Sequence, residues 1–583
     1  MMKERIRLFV LGGVLIVLAV LLQALLQEKQ DTRQMPDAAA AEAETVVYTF
    51  SDTDTGMPGI LLPVQYDNGL SVAVPVWPDA AGDDSAFYLF LPAGAETDSA
   101  VWDLRGAERL YIDGEAVQTG DHAALSDDIH TIDMTVEQTS YQGKLHIKRS
   151  SGLDAVFIRT TEGDTAWLHE DKEHASPGHI MILSPDGAVS YAGVAERVRC
   201  RGNASFDDVP VNGKKSYAVK LEKKADLLDT GAAKKYVLVS NIFDRSLTRN
   251  RAADILARET DVPYAVEEKY VDLYFNDEYA GNYLLYEQIE IKENRIAIRD
   301  LEQETERANA GALEDYVPFS SVEGRLAALK GFLIPENPQD ISGGYLIEME
   351  LLDRYGAEKS AFITEALQAY IIHAPEAASQ EQVLYIGGLV QELEEALNDV
   401  DGVNPYTGKH YTEYLDADSF ARHYIIEELT KNLDAASTSQ YFYKPEDAVS
   451  TKLFAGPVWD HDKAFGLYDG QGEGLSYEGY PMGDPEGLFA AGERSVYNLW
   501  HALYRHGEFR DLVADIYRSL TYGAAVTLAD ETIPELAEQL AASADMNAIR
   551  WGFSASYSLK EEAEKVASFL RQRADWLLEE WGE

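Results

Sequence analysis

Three aspartates in the last third of the chain have the type and spacing to bind a metal ion and assist a group transfer. Asp434 follows a segment with helical periodicity, and Asp460 and Asp462 stand two residues apart. If residues 453–462 are extended, the last two carboxylates project from one face. Hard oxygen ligands of this kind suit Mg²⁺ or Mn²⁺, which often share them with substrate phosphates. Carboxylate pairs also arise by chance in a chain with 100 acidic residues, so both interpretations stay open.

A basic segment lies upstream of these carboxylates, between residues 197 and 251. Its thirteen basic residues outnumber six acidic ones, a local balance of +7 in a chain of net charge −50. Such a concentration of Arg and Lys can bind phosphate, or it can form ion pairs with the acidic surroundings. Phosphate-binding cations, metal-binding carboxylates and a separate aspartate as base are the minimum set for phosphoryl transfer. The basic residues are Arg197, Arg199, Arg201, Lys214, Lys215, Lys220, Lys223, Lys224, Lys234, Lys235, Arg245, Arg249 and Arg251.

Length and composition restrict the class of protein that must position these residues. The chain has 583 residues, with 100 acidic against 50 basic side chains, which excludes a non-specific binder of nucleic acid or anionic lipid. A hydrophobic content of 46% is typical of a folded protein, and the length indicates more than one domain. Cys200 is the single cysteine, so neither an intramolecular disulfide nor a cysteine-built zinc site can form.

The N-terminus has the pattern of a membrane anchor. Lys3, Arg5 and Arg7 precede an apolar run at residues 8–26, close to the ~20 residues that a membrane-spanning helix requires. The positive-inside rule places the N-terminus in the cytoplasm and the remainder outside. We therefore predict a cytoplasmic tip and transmembrane signal anchor at residues 1–27 and a linker at 28–46. A cleaved signal peptide, with secretion of the mature chain, is the alternative.

Two folded units are predicted after the linker. Short alternating runs separated by turn residues indicate a small β-sandwich-like module at residues 47–165. Residues 166–583 have a mixed α/β pattern, with strands predicted near 216–221, 236–240 and 270–275. Helices are predicted at about 247–259 and from a cap at Asp418 to residue 430.

A series of motifs in the second unit resembles the spore-coat CotH kinase family of atypical protein-kinase-like enzymes. The series spans roughly residues 180–583, and its order and spacing are specific although each motif alone is weak. The motifs are Arg201-Gly202-Asn203-Ala204-Ser205, Lys214 to Leu221, Leu238 to Asn241 with Asp244, Arg249-Asn250, Ala257 to Glu259, Val271 to Tyr274, Gly281, Tyr283 to Ile289, Gly343 to Glu348, Asn432-Leu433-Asp434 and Trp459-Asp460-His461-Asp462.

The resemblance implies an α+β fold, a two-lobed atypical protein-kinase-like domain that binds ATP and Mg²⁺ or Mn²⁺ between its lobes. It assigns Asp434 as the catalytic aspartate and Asp460 and Asp462 as metal ligands. In kinase catalytic loops an Asn stands five residues after the aspartate, and here Ser439, a weaker metal ligand, occupies that position. The nucleotide-binding residues implied are Arg201 and Lys220 at the phosphates and Glu287, Gln288 and Ile289 beside the adenine.

The leading hypothesis is transfer of the ATP γ-phosphoryl group to Ser or Thr of a surface or spore-coat protein. Substrates rich in basic residues would be attracted by the acidic exterior. Because ATP is scarce outside a membrane, transfer of AMP on the same scaffold is a second possibility. A catalytically silent surface or coat-assembly binding protein is a third. A metal-dependent hydrolase would use the same acids but would leave the basic segment less explained.

Overall fold

The computed structural model describes residues 57–63, 71–80, 85–467, 476–481 and 498–582. The predicted anchor at residues 1–27 and the predicted linker at 28–46 lie outside these ranges. Within the described ranges, no helix is both long enough and apolar enough to cross a bilayer.

The strands before residue 150 form two sheets that share one core. Their orders are β2-β1-β5 and β3-β4-β9-β8-β6-β7. Ile60, Leu89 and Trp102, from both sheets, lie in one buried cluster. Glu137 and Gln138 both have positive φ, the geometry of a tight two-residue hairpin turn between β8 and β9. The strands are β1 (Gly59–Pro63), β2 (Ser71–Pro75), β3 (Trp77–Pro78), β4 (Ala86–Leu91), β5 (Val101–Asp103), β6 (Ala107–Ile112), β7 (Glu115–Val117), β8 (Ile129–Val136) and β9 (Thr139–Arg149).

The next seven strands close into a barrel of order β10-β11-β12-β13-β14-β16-β15. Alternate residues such as Val219, Leu221 and Leu238 point inward and are buried. The strands predicted near 216–221, 236–240 and 270–275 correspond to β13, β14 and β15, with slightly shifted ends. The strands are β10 (Asp154–Thr160), β11 (Ala175–Leu183), β12 (Val189–Arg201), β13 (Ser216–Ala225), β14 (Ala233–Val239), β15 (Glu268–Phe275) and β16 (Glu278–Glu287).

The barrel begins before the domain boundary predicted from the sequence. Strand β10 pairs with β11 and also with β15, more than 100 residues later in the chain. It therefore completes the barrel, although the boundary at 165/166 places it in the preceding module. The alternation of apolar and polar residues is the same in both units, so only the long-range pairing reveals to which sheet the strand belongs.

Three helices accompany the barrel: α1 (Thr165–Glu170), α2 (Ala204–Asp207) and α3 (Arg249–Glu259). Helix α3 begins two residues after the predicted start. Leu247 has φ of 59°, which is incompatible with a helix, and the Asp244 carboxylate accepts a hydrogen bond from the Arg249 backbone N–H at 2.9 Å. Asp244 thus satisfies one of the amides left free at the start of the helix.

A seven-stranded sheet and the remaining helices form the lobe that follows the barrel. The sheet order is β17-β18-β20-β21-β19-β22-β23. Its strands are β17 (Pro318–Ser321), β18 (Ala328–Phe332), β19 (Tyr345–Glu350), β20 (Ala361–Ile363), β21 (Ala369–Ala374), β22 (Gln440–Lys444) and β23 (Phe454–Ala455). The helices are α4 (Leu301–Ala308), α5 (Gln380–Asn398), α6 (Ala417–Thr430), α7 (Leu499–Tyr504), α8 (Gly507–Ile516), α9 (Tyr522–Thr527), α10 (Ile533–Arg550) and α11 (Leu559–Glu580).

Helix α6 is central to this lobe. Asp416, two residues before the predicted cap, accepts a hydrogen bond from the Ser419 backbone N–H at 2.9 Å and so caps the helix. Phe420 and Tyr424 of α6 pack against the buried Trp500 of α7. The molecule is therefore a mixed α and β structure, with a barrel followed by a sheet covered by helices.

Candidate functional site

Asp434 stands four residues after the end of helix α6 at Thr430. The helix ends with Lys431 in the left-handed conformation, at φ of 52°, and its backbone N–H bonds the helix carbonyls. The side-chain oxygen of Asn432 then accepts a hydrogen bond from the Asp434 backbone N–H at 3.2 Å. A short helical turn, Asp434–Ala436, follows. These contacts hold the Asp434 carboxylate at a defined place at the end of the helix.

Asp460 and Asp462 lie in an irregular segment, which differs from the extended strand considered in the sequence analysis. Strand β23 ends at Ala455, and Asp460 has φ of 68°. The two side chains therefore do not share a face through strand alternation. The irregular backbone brings both carboxylates toward Asp434 instead.

The three aspartates form one electrostatic cluster. The Asp460 side chain is exposed to solvent, but the surrounding protein and the Asp434 charge raise the pKa of its carboxyl. Burial and the charge of Asp460 raise the pKa of Asp462 well above its usual range. Mutual repulsion of this kind is relieved when a cation binds. The cluster therefore favours a positively charged ligand.

Arg201 is brought to this cluster from the end of β12. Its guanidinium carbon lies 5.3 Å from the centroid of the Trp459 ring, and its charge opposes the rise in the pKa of Asp460. Gly202 follows with φ of 86°, and a Cβ there would lie 2.0 Å from the Ser205 hydroxyl. The chain can thus turn tightly beside Arg201 and leave the guanidinium facing the aspartates.

Lys220 lies elsewhere on the barrel. In the strand register Arg201 is opposite Ser216, whereas Lys220 is opposite Arg197, about 13 Å further along the strands. Its ammonium group is partly exposed and forms an ion pair with Glu196 at 2.9 Å. The structure therefore unites Arg201 with the carboxylates but leaves Lys220 apart from them.

Glu287 is the last residue of β16, and it lines a cleft of about 150 Å³ together with Gln288 and Ile289, which follow the strand. Pro457, from the segment that leads to Asp460, lines the same cleft. The Glu287 carboxylate pairs with Arg295 at 2.9 Å, and burial, partly offset by that arginine, raises the pKa of Glu287 to about 7. The segment predicted to face the adenine thus shares a cleft with Pro457, which stands three residues before Asp460.

The donors in the cluster are suited to a hard divalent cation. The Ser439 hydroxyl lies 3.5 Å from an Asp460 carboxylate oxygen, so two of the three residues predicted as metal ligands lie next to each other. In the part of the chain that the structure describes, no three His, Cys, Asp or Glu side chains are already arranged as a complete metal site. Mg²⁺ is usually held by one or two carboxylates together with substrate phosphates. The residues present therefore fit a metal that arrives with its nucleotide.

Two further residues, Asp244 and Arg249, hold the segment that follows Asp462, and the sequence analysis assigned them no role. Arg249, at the start of α3, forms a buried ion pair with Asp244, and its Nε donates to the Ala464 carbonyl at 2.9 Å. Asp244 also adds to the rise in the pKa of Asp462. Both residues stand in the quoted motifs, but only the fold shows that they hold the segment after Asp462.

The basic segment has several separate uses. Arg249, Arg251, Lys220 and Lys235 form ion pairs with acidic neighbours. The ammonium groups of the buried Lys214 and Lys215 donate to backbone carbonyls instead. Much of the local excess of positive charge is thus structural, and Arg201 is the member of the segment that lies beside the aspartates.

The comparisons with known proteins agree with the motif series. The family model described as CotH kinase protein matches residues 198–577, which is well over half of the chain and covers Arg201, Asp434 and Asp460. A comparison with curated proteins finds no match. Because this match extends over both the barrel and the lobe that carries the aspartates, it leads to one conclusion: the chain belongs to the CotH kinase protein family.

Proposed function

We propose that the protein transfers the γ-phosphoryl group of ATP to Ser or Thr hydroxyls of a surface or spore-coat protein, with Mg²⁺ or Mn²⁺ as cofactor. One observation carries this proposal: the Arg201 guanidinium lies over the Trp459 ring, and its charge and that of Asp434 both act on the Asp460 carboxyl. The segment that leads to Asp460 also lines the cleft, through Pro457. The kinase-like character of the family gives the reaction class. The proposal also includes an extracytoplasmic location, supported by the apolar run at residues 8–26.

In this reaction Asp434 would accept the proton of the acceptor hydroxyl. The acceptor oxygen forms a bond to the γ-phosphorus while the bond from that phosphorus to the β-phosphate oxygen breaks, releasing ADP. The Arg201 guanidinium would donate hydrogen bonds to the phosphate oxygens, which suits its planar geometry. Positioning and electrostatic stabilisation of this kind supply most of the catalysis in phosphoryl transfer.

Asp460 would hold the divalent cation, with Asp462 as a second carboxylate and Ser439 as a weak ligand. When bound, the cation would neutralise the charge of the phosphates. The adenine would occupy the cleft beside Glu287, Gln288 and Ile289, whose volume of about 150 Å³ is of the order of a purine ring system. Lys220 would act only through longer-range charge, because Glu196 pairs with it.

The test uses the full chain with MnCl₂ or MgCl₂ and ATP labelled at either the γ- or the α-phosphate. We expect a metal-dependent thermal shift with ATP and incorporation of label from the γ-phosphate only. Asp460→Asn should abolish the thermal shift. Asp434→Asn should reduce incorporation by about 10²–10⁴-fold, the usual contribution of a general base, while nucleotide binding survives.

A matched control is Asp401→Asn, an exposed carboxylate in the loop after α5, which should change neither measurement. Label from the α-phosphate would replace the proposal with AMP transfer. Nucleotide binding without any transfer would indicate a silent binding protein. If no nucleotide produced a metal-dependent shift, both enzymatic versions would be wrong.

A further inference from the structure

A carboxylate that does not reach the cleft lies beneath the two loops that carry the aspartates. Glu427, in the last turn of α6, is completely buried. Removing an ionised carboxylate from water costs several kcal/mol unless other groups compensate it. The groups that surround Glu427 therefore show how the buried carboxylate is compensated and which parts of the chain it connects.

One carboxylate oxygen of Glu427 faces the two loops. Its Oε2 accepts a hydrogen bond from the Asn432 side-chain amide at 2.9 Å and lies 3.3 Å from Nε2 of His461. Asn432 in turn accepts the hydrogen bond of the Asp434 backbone N–H, and its amide is 3.5 Å from the Asp460 carbonyl. Through Asn432, this single oxygen is thus linked to the backbones of both Asp434 and Asp460.

The other carboxylate oxygen of Glu427 faces His423 and Gln440. Its Oε1 lies 3.3 Å from Nε2 of His423 and 3.4 Å from the Gln440 side-chain amide. Gln440 begins strand β22, directly after Ser439. The loop at residues 431–439, which carries Asp434, is therefore bonded to Glu427 at both ends, through Asn432 near its start and through Gln440 directly after it.

His461 connects this arrangement to the barrel side of the molecule. Its backbone N–H donates to the Asn250 side-chain oxygen at 2.8 Å, and the Asn250 amide donates to Asn241 at 3.0 Å. Asn250 belongs to α3, whereas Glu427 belongs to α6. His461, next to Asp460, thus contacts α3 beside the barrel through its backbone and α6 of the following lobe through its side chain.

The two loops also have backbone conformations that need such support. Lys431, Ser439 and Asp460 have φ values of 52°, 58° and 68°. Left-handed conformations cost non-glycine residues free energy and persist where the surroundings impose them. The three residues flank the groups that contact Glu427, so its hydrogen bonds act where the backbone would otherwise relax.

We infer that Glu427 is a positioning residue: it fixes the loop at residues 431–439, which carries Asp434, relative to the segment at residues 458–463, which carries Asp460. The inference rests on the proposed function for its catalytic consequence, but the positioning itself is a property of the fold. An uncharged hydrophobic residue could fill the same space in α6. It could not bond Asn432 and Gln440 or face His461.

The test compares Glu427→Gln with Glu394→Gln in the full chain. Glu394 is likewise a fully buried glutamate in a helix, and its carboxylate accepts a hydrogen bond from Tyr370, away from both loops. We expect Glu427→Gln to lower kcat at least tenfold and to raise the metal concentration needed for half-maximal rate. The KM for the acceptor should change less than threefold. Glu394→Gln should leave kcat within twofold of the unmodified chain.

Hydrogen exchange separates this inference from the proposed function. Amides of residues 431–439 and 458–463 should exchange at least tenfold faster in Glu427→Gln and at the original rate in Glu394→Gln. This readout holds even if the chain transfers no phosphate. Unchanged exchange in both loops would overturn the inference. So would a kcat for Glu427→Gln within twofold of the original, or an equal loss of activity in the two variants.

Discussion

The guanidinium of Arg201 lies over the ring of Trp459, 5.3 Å from its centroid. Trp459 directly precedes Asp460, and its ring also meets Tyr286 of β16 edge-on at 5.0 Å. Tyr286 is in turn followed by the residues that line the cleft. One aromatic ring therefore contacts both the Arg201 guanidinium at the end of a barrel strand and the strand that leads to the cleft beside Glu287, and it directly precedes the Asp460 carboxylate.

The different positions of Arg201 and Lys220 predict different effects on nucleotide binding. Arg201→Ala should raise the Kd for ATP with metal by about 10–100-fold, because a hydrogen bond to a charged group contributes about 1.5–3 kcal/mol. Lys220→Ala should change it less than about threefold, since an exposed ion pair contributes little. Isothermal titration of both variants measures this. Equal losses in the two variants would show that the strand register does not separate their roles.

Removing Arg573 should destabilise the lobe that carries Asp434. Arg573 of α11 is completely buried, pairs with Glu428 of α6 at 3.0 Å and donates to the carbonyls of Tyr477 and Gly479 at 2.7 Å. Arg573→Met leaves the Glu428 carboxylate buried without its partner, so the free energy of unfolding should fall by about 3–5 kcal/mol.

The control for that variant lies two residues away on the same helix. Arg571 is partly exposed and pairs with Asp575 at 3.4 Å, so Arg571→Met should cost less than about 1 kcal/mol. Urea unfolding of the two variants provides the comparison. A similar loss in both would mean that burial does not distinguish these arginines.

Glu394 should make stability depend on pH. Burial raises the pKa of its carboxyl from 4.5 to about 8 in the folded chain. The folded protein therefore binds this proton more tightly than the unfolded one, and its contribution to stability is lost as pH rises from about 4.5 to about 8. Glu394→Gln should match the original chain in Tm near pH 5 and exceed it near pH 8.5. A difference in Tm that stays constant with pH would contradict this.

Truncation should reveal the true start of the barrel. A chain that begins at residue 166 lacks β10, which leaves β11 and β15 without a shared partner. A chain that begins at residue 150 retains β10, although it exposes barrel residues such as Phe157 that pack against the small module. We expect a cooperative thermal transition only from the longer chain. A cooperative transition from the chain that begins at 166 would show that the barrel closes without β10.

Regular elements could be predicted closely where local patterns determine them. The alternation in β13 to β15 and the helical spacing of Phe420 and Tyr424 placed those elements within a few residues. The helix starts were shifted, because Asp416 and Asp244 make the capping contacts and the sequence offers several acidic candidates nearby. The extended interpretation of residues 453–462 was wrong, because the chain leaves strand β23 at Ala455 and takes a left-handed turn at Asp460.

The sequence by itself determined the family, through motifs whose order and spacing span the second unit, and it singled out Asp434, Asp460, Arg201 and Lys220. Only the tertiary structure decided which basic residue lies beside the carboxylates and that β10 belongs to the barrel. It alone revealed Glu427 beneath the two loops. The physical reason is that strand register, burial and hydrogen bonds join residues far apart in the chain, while composition and spacing report only neighbours along it. Arg201 and Lys220 are both cations of one basic segment, and the strand register alone separates them.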